Sequence, residues 1–336
     1  ITALLLQGVS SINLDNWTRP IGGEALNALL TAGEWSDRVL GRSETVSLPA
    51  RLAMAATGNN LSVRGDMTRL NELLDPFKGA AGVFSVAGFL SGPMLANPWM
   101  GLDVNVRGLQ NVLEAARLRD VRKVVFSSSI GVYGKMGQAP NSEEQPFGWD
   151  ALPPALILYS GSKIVGEGLC RLYHDQHGIG YAALRYTNLY GENQHKRAID
   201  ATRIVNAWER IRAGQRPVIE GTGNQVADFV YVGDVARANL MAMESNVNGA
   251  FNIASGRDTT FNEVVGALLK ACKSDLQPEY KVDAAKVSNP VEARLGISVD
   301  KARRELGWEP RTDIEQGMRR LVAWLDEDAR KRAQFA

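Results

Sequence analysis

The chain has 336 residues and a mass of 36.6 kDa, which at roughly 150 residues per domain predicts two domains with well-buried cores. Its 38 basic and 37 acidic residues leave a net charge of +1, which argues against a nucleic-acid-binding protein, whose surface carries a large basic excess. Two cysteines exclude a disulfide framework, and no apolar stretch is long enough to cross a membrane. The composition therefore predicts a cytoplasmic protein with no membrane partner.

The first half of the sequence alternates helical and extended segments. In chain order we predict a helix over 21–33, strands over 36–43 and 60–67, a helix over 68–77, strands over 81–88 and 122–129 separated by a helix over 103–120, a helix over 159–178 and a strand over 179–191. The strand over 81–88 is a nearly continuous apolar run, and the strand over 122–129 has Val124, Val125 and Phe126 in succession, which is typical of strands buried on both faces. Such alternation predicts an α/β fold with a doubly wound parallel sheet and a ligand site at the carboxyl ends of its strands.

After Tyr190 the pattern loosens into a smaller lobe. We predict helices over 197–214, 234–245, 261–272, 299–308 and 313–332, a pair of strands around a glycine turn over 217–232, and a strand over 251–255. The first domain is therefore predicted to span residues 1–185, with 229–254 returning to it, and the substrate-binding lobe to span 186–336.

One pair of side chains has the spacing of an acid–base site. Tyr159 and Lys163 are four residues apart, so a helix places both on one face. A phenol with a pKa near 10 is a poor base at neutral pH, and an adjacent ammonium would lower that pKa towards the working range. Ser129 ends the preceding strand, where its hydroxyl could bond both Tyr159 and a substrate oxygen. Taken alone, a Tyr-x-x-x-Lys pair is more often a solvent-facing pair on a helix.

Three segments in this order carry a family resemblance: FSSSIGVYG at 126–134, YSGSK at 159–163 and LRYTNLYG at 184–191. Together with NVRGLQNVLEAA and DFVYVGDVARA, they resemble the extended short-chain dehydrogenase/reductase superfamily, in its NAD-dependent epimerase/dehydratase branch of the UDP-glucose 4-epimerase kind. The resemblance implies a Rossmann-type fold and three catalytic roles. Tyr159 takes or gives the hydroxyl proton, Lys163 also holds the nicotinamide ribose, and Ser129 positions the substrate.

The residues after Ser129 narrow the reaction. Family members that dehydrate or decarboxylate sugars tend to carry an Asp or Glu there, whereas this chain has Ile130 and Gly131. Neither side chain can move a proton, so epimerisation or simple alcohol–ketone redox is favoured. The three histidines form no metal-ligand pattern, and we predict no metal site.

The cofactor loop departs from the family pattern. The family places GxxGxxG after its first strand, because backbone amides must approach a pyrophosphate. Here the corresponding segment is NWTRPIG, in which only Gly22 matches, while Asn16 and Arg19 replace the other two glycines. At the end of the next strand, Gly41 stands where NAD-preferring members carry an acid, and Arg42 follows it. Arg42, reinforced by Arg19, would suit a 2′-phosphate, so NADP is slightly favoured over NAD; a surface arginine is the alternative.

Other positions match the family's cofactor and substrate contacts. Asp66 resembles the acid that contacts adenine, and Ala87 and Gly88 lie where a strand passes beneath the cofactor. Asn188 matches the asparagine that nucleotide-sugar enzymes direct at the substrate, and Arg294 is a candidate for a phosphate-binding arginine. An asparagine that caps the following turn is the alternative for Asn188.

The resemblance favours an NAD(P)-dependent epimerase or oxidoreductase that acts by hydride transfer at a secondary alcohol of a sugar, with a nucleotide sugar as substrate. Ala227 stands where many such enzymes carry a phosphate-binding arginine. Ala227 and Arg42 therefore keep open an NADP-dependent reductase or dehydrogenase of a non-nucleotide substrate. The altered glycine loop keeps open a non-catalytic ligand-binding protein.

The resemblance also implies a homodimer. Its interface would be formed by the helices over 103–120 and 159–178, for which Leu109, Val112, Val165 and Leu169 are candidate contacts. The alternative is that all four side chains lie in the core.

Overall fold

The structure is a computed structural model, and it describes residues 66–134, 136, 140–148, 152–194, 199–281 and 295–334, together with the backbone of four short strands before residue 66. The chain divides into two compact units, Ile1–Pro76 and Phe77–Ala336, which are described separately.

The first unit contains β1 (Ser11–Asp15), β2 (Glu34–Arg38), β3 (Thr45–Pro49), β4 (Ala53–Thr57) and the short helix α1 (Leu70–Leu73). β1 and β4 pair in parallel, whereas β2 and β3 form an antiparallel pair. The predicted helix over 21–33 lies outside the described residues, as do residues 60–65 of a predicted strand. The last two residues of that strand, Asp66 and Met67, lie in a turn, because the Asp66 carboxylate accepts the backbone N–H of Thr68.

The second unit contains, in chain order, β5 (Gly82–Ser85), α2 (Ser91–Ala96), α3 (Pro98–Leu102), a π-helical stretch (Asp103–Gly108) that continues into α4 (Leu109–Leu118), β6 (Lys123–Ser129), a 3₁₀ turn (Ile130–Tyr133), α5 (Pro154–His177), β7 (Gly180–Tyr186), β8 (Asn188–Tyr190), α6 (Ile199–Arg212), β9 (Val218–Glu220), β10 (Val226–Ala227), β11 (Phe229–Tyr231), α7 (Val232–Glu244), β12 (Gly249–Ile253), β13 (Thr259–Thr260), α8 (Phe261–Ala271), β14 (Glu279–Lys281), a second π-helical stretch (Ala302–Leu306) and α9 (Ile314–Gln334).

Four parallel strands form the sheet that carries the site, in the order β12-β7-β6-β5. Adjacent residues of β6 face opposite sides of the sheet. Phe126 packs so closely on α5 that a Cβ at Gly166 would lie 2.5 Å from its ring, whereas Val125 packs with Val235 and Ala238 of α7. Helices therefore cover both faces, and the sequence prediction of a doubly wound parallel sheet agrees with the structure.

The predicted strand over 179–191 is in fact two strands. The chain leaves the main sheet at Thr187, whose N–H still bonds Ile253 while its hydroxyl donates to the buried Asp228 carboxylate at 2.7 Å. From Asn188 onwards the chain pairs with β11 instead. The predicted strand pair over 217–232 is also wrong, since β9, β10 and β11 pair with β14, β13 and β8, respectively.

The C-terminal residues form a second hydrophobic core. Helices α6, α8 and α9 bury it with side chains that include Ile204, Trp208, Leu268, Met318 and Leu321. The strand β12, however, returns to the first sheet and pairs with β7 along Gly249–Ile253. The predicted domain bounds, 1–185 with 229–254 and 186–336, stay a prediction.

Two of the four candidate dimer contacts are wrong. Leu109 and Val112 are buried within the chain, because the α4 face that carries them packs against α5. Val165 is exposed and Leu169 is partly exposed on α5, so only these two remain available to a second copy.

Candidate active site

A cavity of about 670 Å³ lies at the carboxyl ends of β5, β6 and β7. Parallel strands end at the same edge of a sheet, which is where this fold leaves room for a ligand. The structure brings five of the predicted site residues into this lining: Gly88, Ser129, Tyr159, Lys163 and Asn188. The first follows β5, the second ends β6, the next two lie on α5, and the last begins β8.

Ser129 is held at the end of β6 by its own turn. Its hydroxyl oxygen accepts the N–H of Gly131 at 3.1 Å and so caps the 3₁₀ turn that follows. A Cβ at Gly131 would lie 3.0 Å from Ser160 Oγ and 3.3 Å from Ser129 Oγ. Residue 131 is therefore tightly packed against both hydroxyl groups, and neither Ile130 nor Gly131 supplies a group that can transfer a proton.

Tyr159 is partly buried in the cavity wall, and desolvation raises the pKa of its phenol above the usual value near 10. A hydrogen bond from the Ser129 hydroxyl favours the phenolate and lowers this pKa, but by less than burial raises it. Lys163 Nζ lies 5.6 Å from the centre of the Tyr159 ring. The expectation that Lys163 lowers the phenol pKa is therefore wrong for the protein without ligands, since desolvation has the larger effect.

Lys163 is buried in the cavity wall, and desolvation lowers the pKa of its amine to about 8. Its Nζ donates a hydrogen bond to the Ser127 carbonyl oxygen at 2.8 Å. The backbone of Gly88 passes close by, so that a Cβ there would lie 3.5 Å from Lys163 Nζ and 3.2 Å from Asn105 Oδ1. A small residue is required at position 88 for this reason, whereas Ala87 is exposed and lies outside the cavity lining.

The sequence interpretation missed Asn105, a buried residue in the π-helical stretch. Its Oδ1 accepts the N–H of Phe89 at 2.7 Å, and its Nδ2 donates to the Phe89 carbonyl and to Ser162 Oγ. Ser162 Oγ donates in turn to the carbonyl of Tyr159 at 2.7 Å. Asn105 thus joins the segment after β5 to the helix that carries Tyr159. An amide on the buried face of an amphipathic helix was the available signal.

Tyr186 and Asn239 also line the cavity and were not singled out from the sequence. The Tyr186 hydroxyl donates to Asn239 Oδ1 at 3.0 Å, and Asn239 Nδ2 donates to the Val235 carbonyl. Burial raises the pKa of Tyr186, which keeps this phenol neutral and restricts it to hydrogen bonding.

Of the five remaining predicted cofactor and substrate residues, the structure describes only Asp66. Arg19, Gly22, Arg42 and Arg294 lie outside the described residues. Asp66 belongs to the first unit, where hydrogen bonds from Thr68 lower the pKa of its carboxyl.

Among the residues that the structure describes, no helix is both long and apolar enough to cross a bilayer. No three His, Cys, Asp or Glu side chains in this described part of the chain are grouped as a metal site would require.

The chain is similar to known proteins over most of its length. The sequence model of the NAD dependent epimerase/dehydratase family matches residues 21–254. The chain therefore belongs to this family. A protein of Methanocaldococcus jannaschii that is assigned as a UDP-glucose 4-epimerase is 39% identical over 235 residues, which are 70% of this chain and 73% of that protein.

Solved structures of other family members share the fold. A UDP-N-acetylglucosamine 4-epimerase from Methanobrevibacter ruminantium, in complex with UDP-N-acetylmuramic acid, is 26% identical with a TM-score of 0.67, covering 82% of this chain and 84% of its own. The UDP-glucose 4-epimerase of Thermotoga maritima, solved with UDP-glucose, is 24% identical with a TM-score of 0.70. The match covers 98% of this chain and 94% of that one. The predictions of a Rossmann-type fold and of an enzyme of the NAD-dependent epimerase/dehydratase family are confirmed.

Proposed function

We propose that this family member is an NAD(P)-dependent epimerase of a nucleotide sugar, which acts by hydride transfer at a secondary alcohol in the manner of a 4-epimerase. The observation that carries the proposal is the convergence of Ser129, Tyr159 and Lys163 on one cavity, in which the two residues after Ser129, Ile130 and Gly131, supply no further acid or base. Epimerisation needs a single proton-transfer group at the reacting hydroxyl, and this cavity supplies one. The UDP-sugar epimerases among the relatives support the same substrate class.

The chain's own residues would handle the proton. The Tyr159 phenolate takes the proton of the sugar hydroxyl, and the Ser129 hydroxyl holds the reacting oxygen by a hydrogen bond. When hydride returns, Tyr159 gives the proton back to the same oxygen. The charge of the Lys163 ammonium favours the phenolate and so opposes the effect of burial on the Tyr159 pKa.

The Lys163 amine, which lies against the end of β6, fits the nicotinamide end of a dinucleotide. Lys163 has three N–H donors, and the Ser127 carbonyl accepts one of them, which leaves two for ribose hydroxyls. Lys163 and the backbone at Gly88 would hold this end, and the bound nicotinamide would supply the hydride acceptor. We propose NADP as the slightly favoured form on the basis of Arg42 and Arg19, with Gly22 and Asp66 at the pyrophosphate and adenine.

On the substrate side, Asn188 is positioned by its backbone, whose N–H donates to the Asp228 carbonyl at 3.1 Å while its side chain lines the cavity. We propose that Asn188 contacts the sugar nucleotide and that Arg294 binds its phosphates. By the same family argument we propose a cytoplasmic homodimer whose interface includes α5.

One observation favours a second candidate. Ala227 pairs with Thr259 at the position where nucleotide-sugar enzymes carry an arginine, and an alanine cannot bind a phosphate. An NADP-dependent reductase of a non-nucleotide carbonyl would need no such arginine.

Calorimetric titration with NAD⁺, NADH, NADP⁺ and NADPH, after a check for nucleotide carried through purification, is the first test. The loaded protein is then given UDP-glucose or UDP-galactose, and the products are followed by proton NMR. Interconversion without net NAD(P)H turnover supports the epimerase. Steady oxidation of added NADPH by a simple carbonyl would support the reductase. If none of the four nucleotides binds to the folded protein, the proposed function is wrong and a ligand-binding protein replaces it.

A further inference from the structure

Below the active-site cavity lies a buried ion pair to which the proposed chemistry assigns no role. Glu167 and Arg185 are only 7% and 4% exposed, and their side chains form two hydrogen bonds, at 2.9 Å from Nε to Oε1 and 2.7 Å from Nη2 to Oε2. Two parallel bonds between a guanidinium and a carboxylate fix relative orientation as well as distance.

The pair joins the elements that carry the site. Glu167 follows Tyr159 and Lys163 at successive four-residue steps along α5, so it lies on the same face of the helix. Arg185 lies on β7, directly opposite Ser128 of β6. The Ser128 hydroxyl donates to Glu167 Oε1 at 2.6 Å, which brings β6 into the same network.

The network also reaches the chain on the far side of Ser129. Arg185 Nη1 donates to the Tyr133 hydroxyl at 2.8 Å, and that hydroxyl donates to Asn252 Oδ1 at 2.7 Å. Tyr133 ends the 3₁₀ turn that Ser129 begins. Ser129 is therefore bracketed by two residues, Ser128 and Tyr133, that are bonded to the ion pair.

We infer that Glu167 and Arg185 are positioning residues, whose paired side chains hold α5 in register with the end of β6 and so set the geometry of Tyr159 and Lys163 relative to Ser129. Stability alone gives little reason for the pair, because apolar residues of similar volume often replace buried ion pairs without loss of stability. What apolar side chains cannot supply is orientation. The expected fall in kcat rests on the proposed function, whereas the expected change in the geometry of the site does not.

The test compares wild-type protein with the double variant Glu167→Met/Arg185→Met, which fills the same volume with no direction-dependent bond. We expect kcat for the UDP-sugar reaction to fall at least about tenfold with KM within about threefold, since a displacement of about 1 Å at a catalytic group can cost about 100-fold in rate. We expect the melting temperature to stay near that of the wild type. In its crystal structure, the 2.8 Å contact between Lys163 Nζ and the Ser127 carbonyl should be lost.

Lys123→Met is the matched control. Lys123 is also buried, and it starts the same strand that Ser129 ends, with its Nζ donating to the Ser245 and Val247 carbonyls. Loss of this buried charge should lower the melting temperature while leaving kcat and the Lys163 contact unchanged. The two variants should therefore show opposite patterns of stability and rate.

Unchanged kcat and an unchanged Lys163 contact in the double variant would overturn the inference. If the double variant does not fold, kcat and the Lys163 contact are measured for Arg185→Lys instead. Lysine keeps the charge but cannot form the two parallel bonds, so we expect the same two losses. An inactive wild-type protein would refute the proposed function, and the crystallographic contact would still test the positioning role.

Discussion

At the scale of single residues, burial shifts the pKa values of Tyr159 and Lys163, the two proposed proton-handling groups, in opposite directions. It raises the pKa of Tyr159 and lowers the pKa of Lys163 to about 8, because each neutral form is preferred in a dry environment. The phenolate is therefore disfavoured, whereas an amine with a pKa of about 8 is still largely protonated at neutral pH.

Tyr159→Phe should reduce kcat by a factor of about 100 to 10,000, which is what a positioned proton-transfer group contributes. Tyr173→Phe is the control, because Tyr173 lies on the same helix but donates to Glu114 at 3.1 Å, outside the cavity lining. The measurement is the initial rate of UDP-sugar interconversion, with nucleotide binding checked by calorimetry. Equal rates for both variants would show that the phenol does not transfer the proton.

Lys163→Met should change how stability depends on pH. The amine has a pKa of about 8 in the folded chain and near 10.5 when unfolded, so between these values the unfolded chain binds more protons. The free energy of unfolding of the wild type, relative to that of Lys163→Met, should therefore rise as pH increases from about 8 to 10.5. Urea unfolding of both proteins across this range measures the difference. A constant difference would mean that Lys163 is not desolvated.

At the scale of elements, α5 lies against β6 through a glycine. A Cβ at Gly166 would lie 2.5 Å from the Phe126 ring and 3.0 Å from Leu109, whereas a Cβ at Gly168 would meet no atom within 4 Å. Position 166 therefore determines how closely the catalytic helix approaches the sheet, and position 168 does not.

Gly166→Ala should destabilise the protein by about 1–3 kcal/mol, the usual cost of overpacking a core, and should lower kcat because α5 must move. Gly168→Ala is the matched control two residues away. It should stabilise the chain by up to about 1 kcal/mol, since alanine is the better helix former. Chemical denaturation of both variants checks the pair, and equal effects would contradict the close approach.

At the scale of the whole molecule, α5 also presents an apolar surface to solvent. Val165 and Leu172 are 46% and 45% exposed and lie seven residues apart, on one face of the helix. Exposed apolar side chains on one helix face are a feature of subunit interfaces.

The double variant Val165→Glu/Leu172→Glu should convert the proposed homodimer into a monomer of 36.6 kDa, because two carboxylates would be buried without partners. Leu240→Glu, at a leucine of α7 that is 56% exposed, should leave the assembly unchanged. Sedimentation velocity at micromolar concentration distinguishes the two states. A monomeric wild type would refute the dimer.

The amino-acid sequence was sufficient for the parallel α/β class and the family, and it singled out Ser129, Tyr159 and Lys163, which the structure brings to one cavity. Each of these depends on local information: apolar runs that suit strands covered on both faces, and a four-residue spacing that any helix converts into a shared face. The motifs keep their order along the chain, so the resemblance could be recognised without tertiary contacts.

Burial, by contrast, depends on contacts between residues that are distant in sequence. The direction of the Tyr159 pKa, the inward packing of Leu109 and Val112, and the change of sheet at Thr187 all follow from such contacts. The same is true of Glu167 and Arg185, whose charges suggest exposed side chains until the strands and α5 bring them together. Spacing along the chain predicts which face of a helix or strand carries a side chain. The desolvation of that side chain depends on which residues pack against the face, and only the tertiary structure determines this packing.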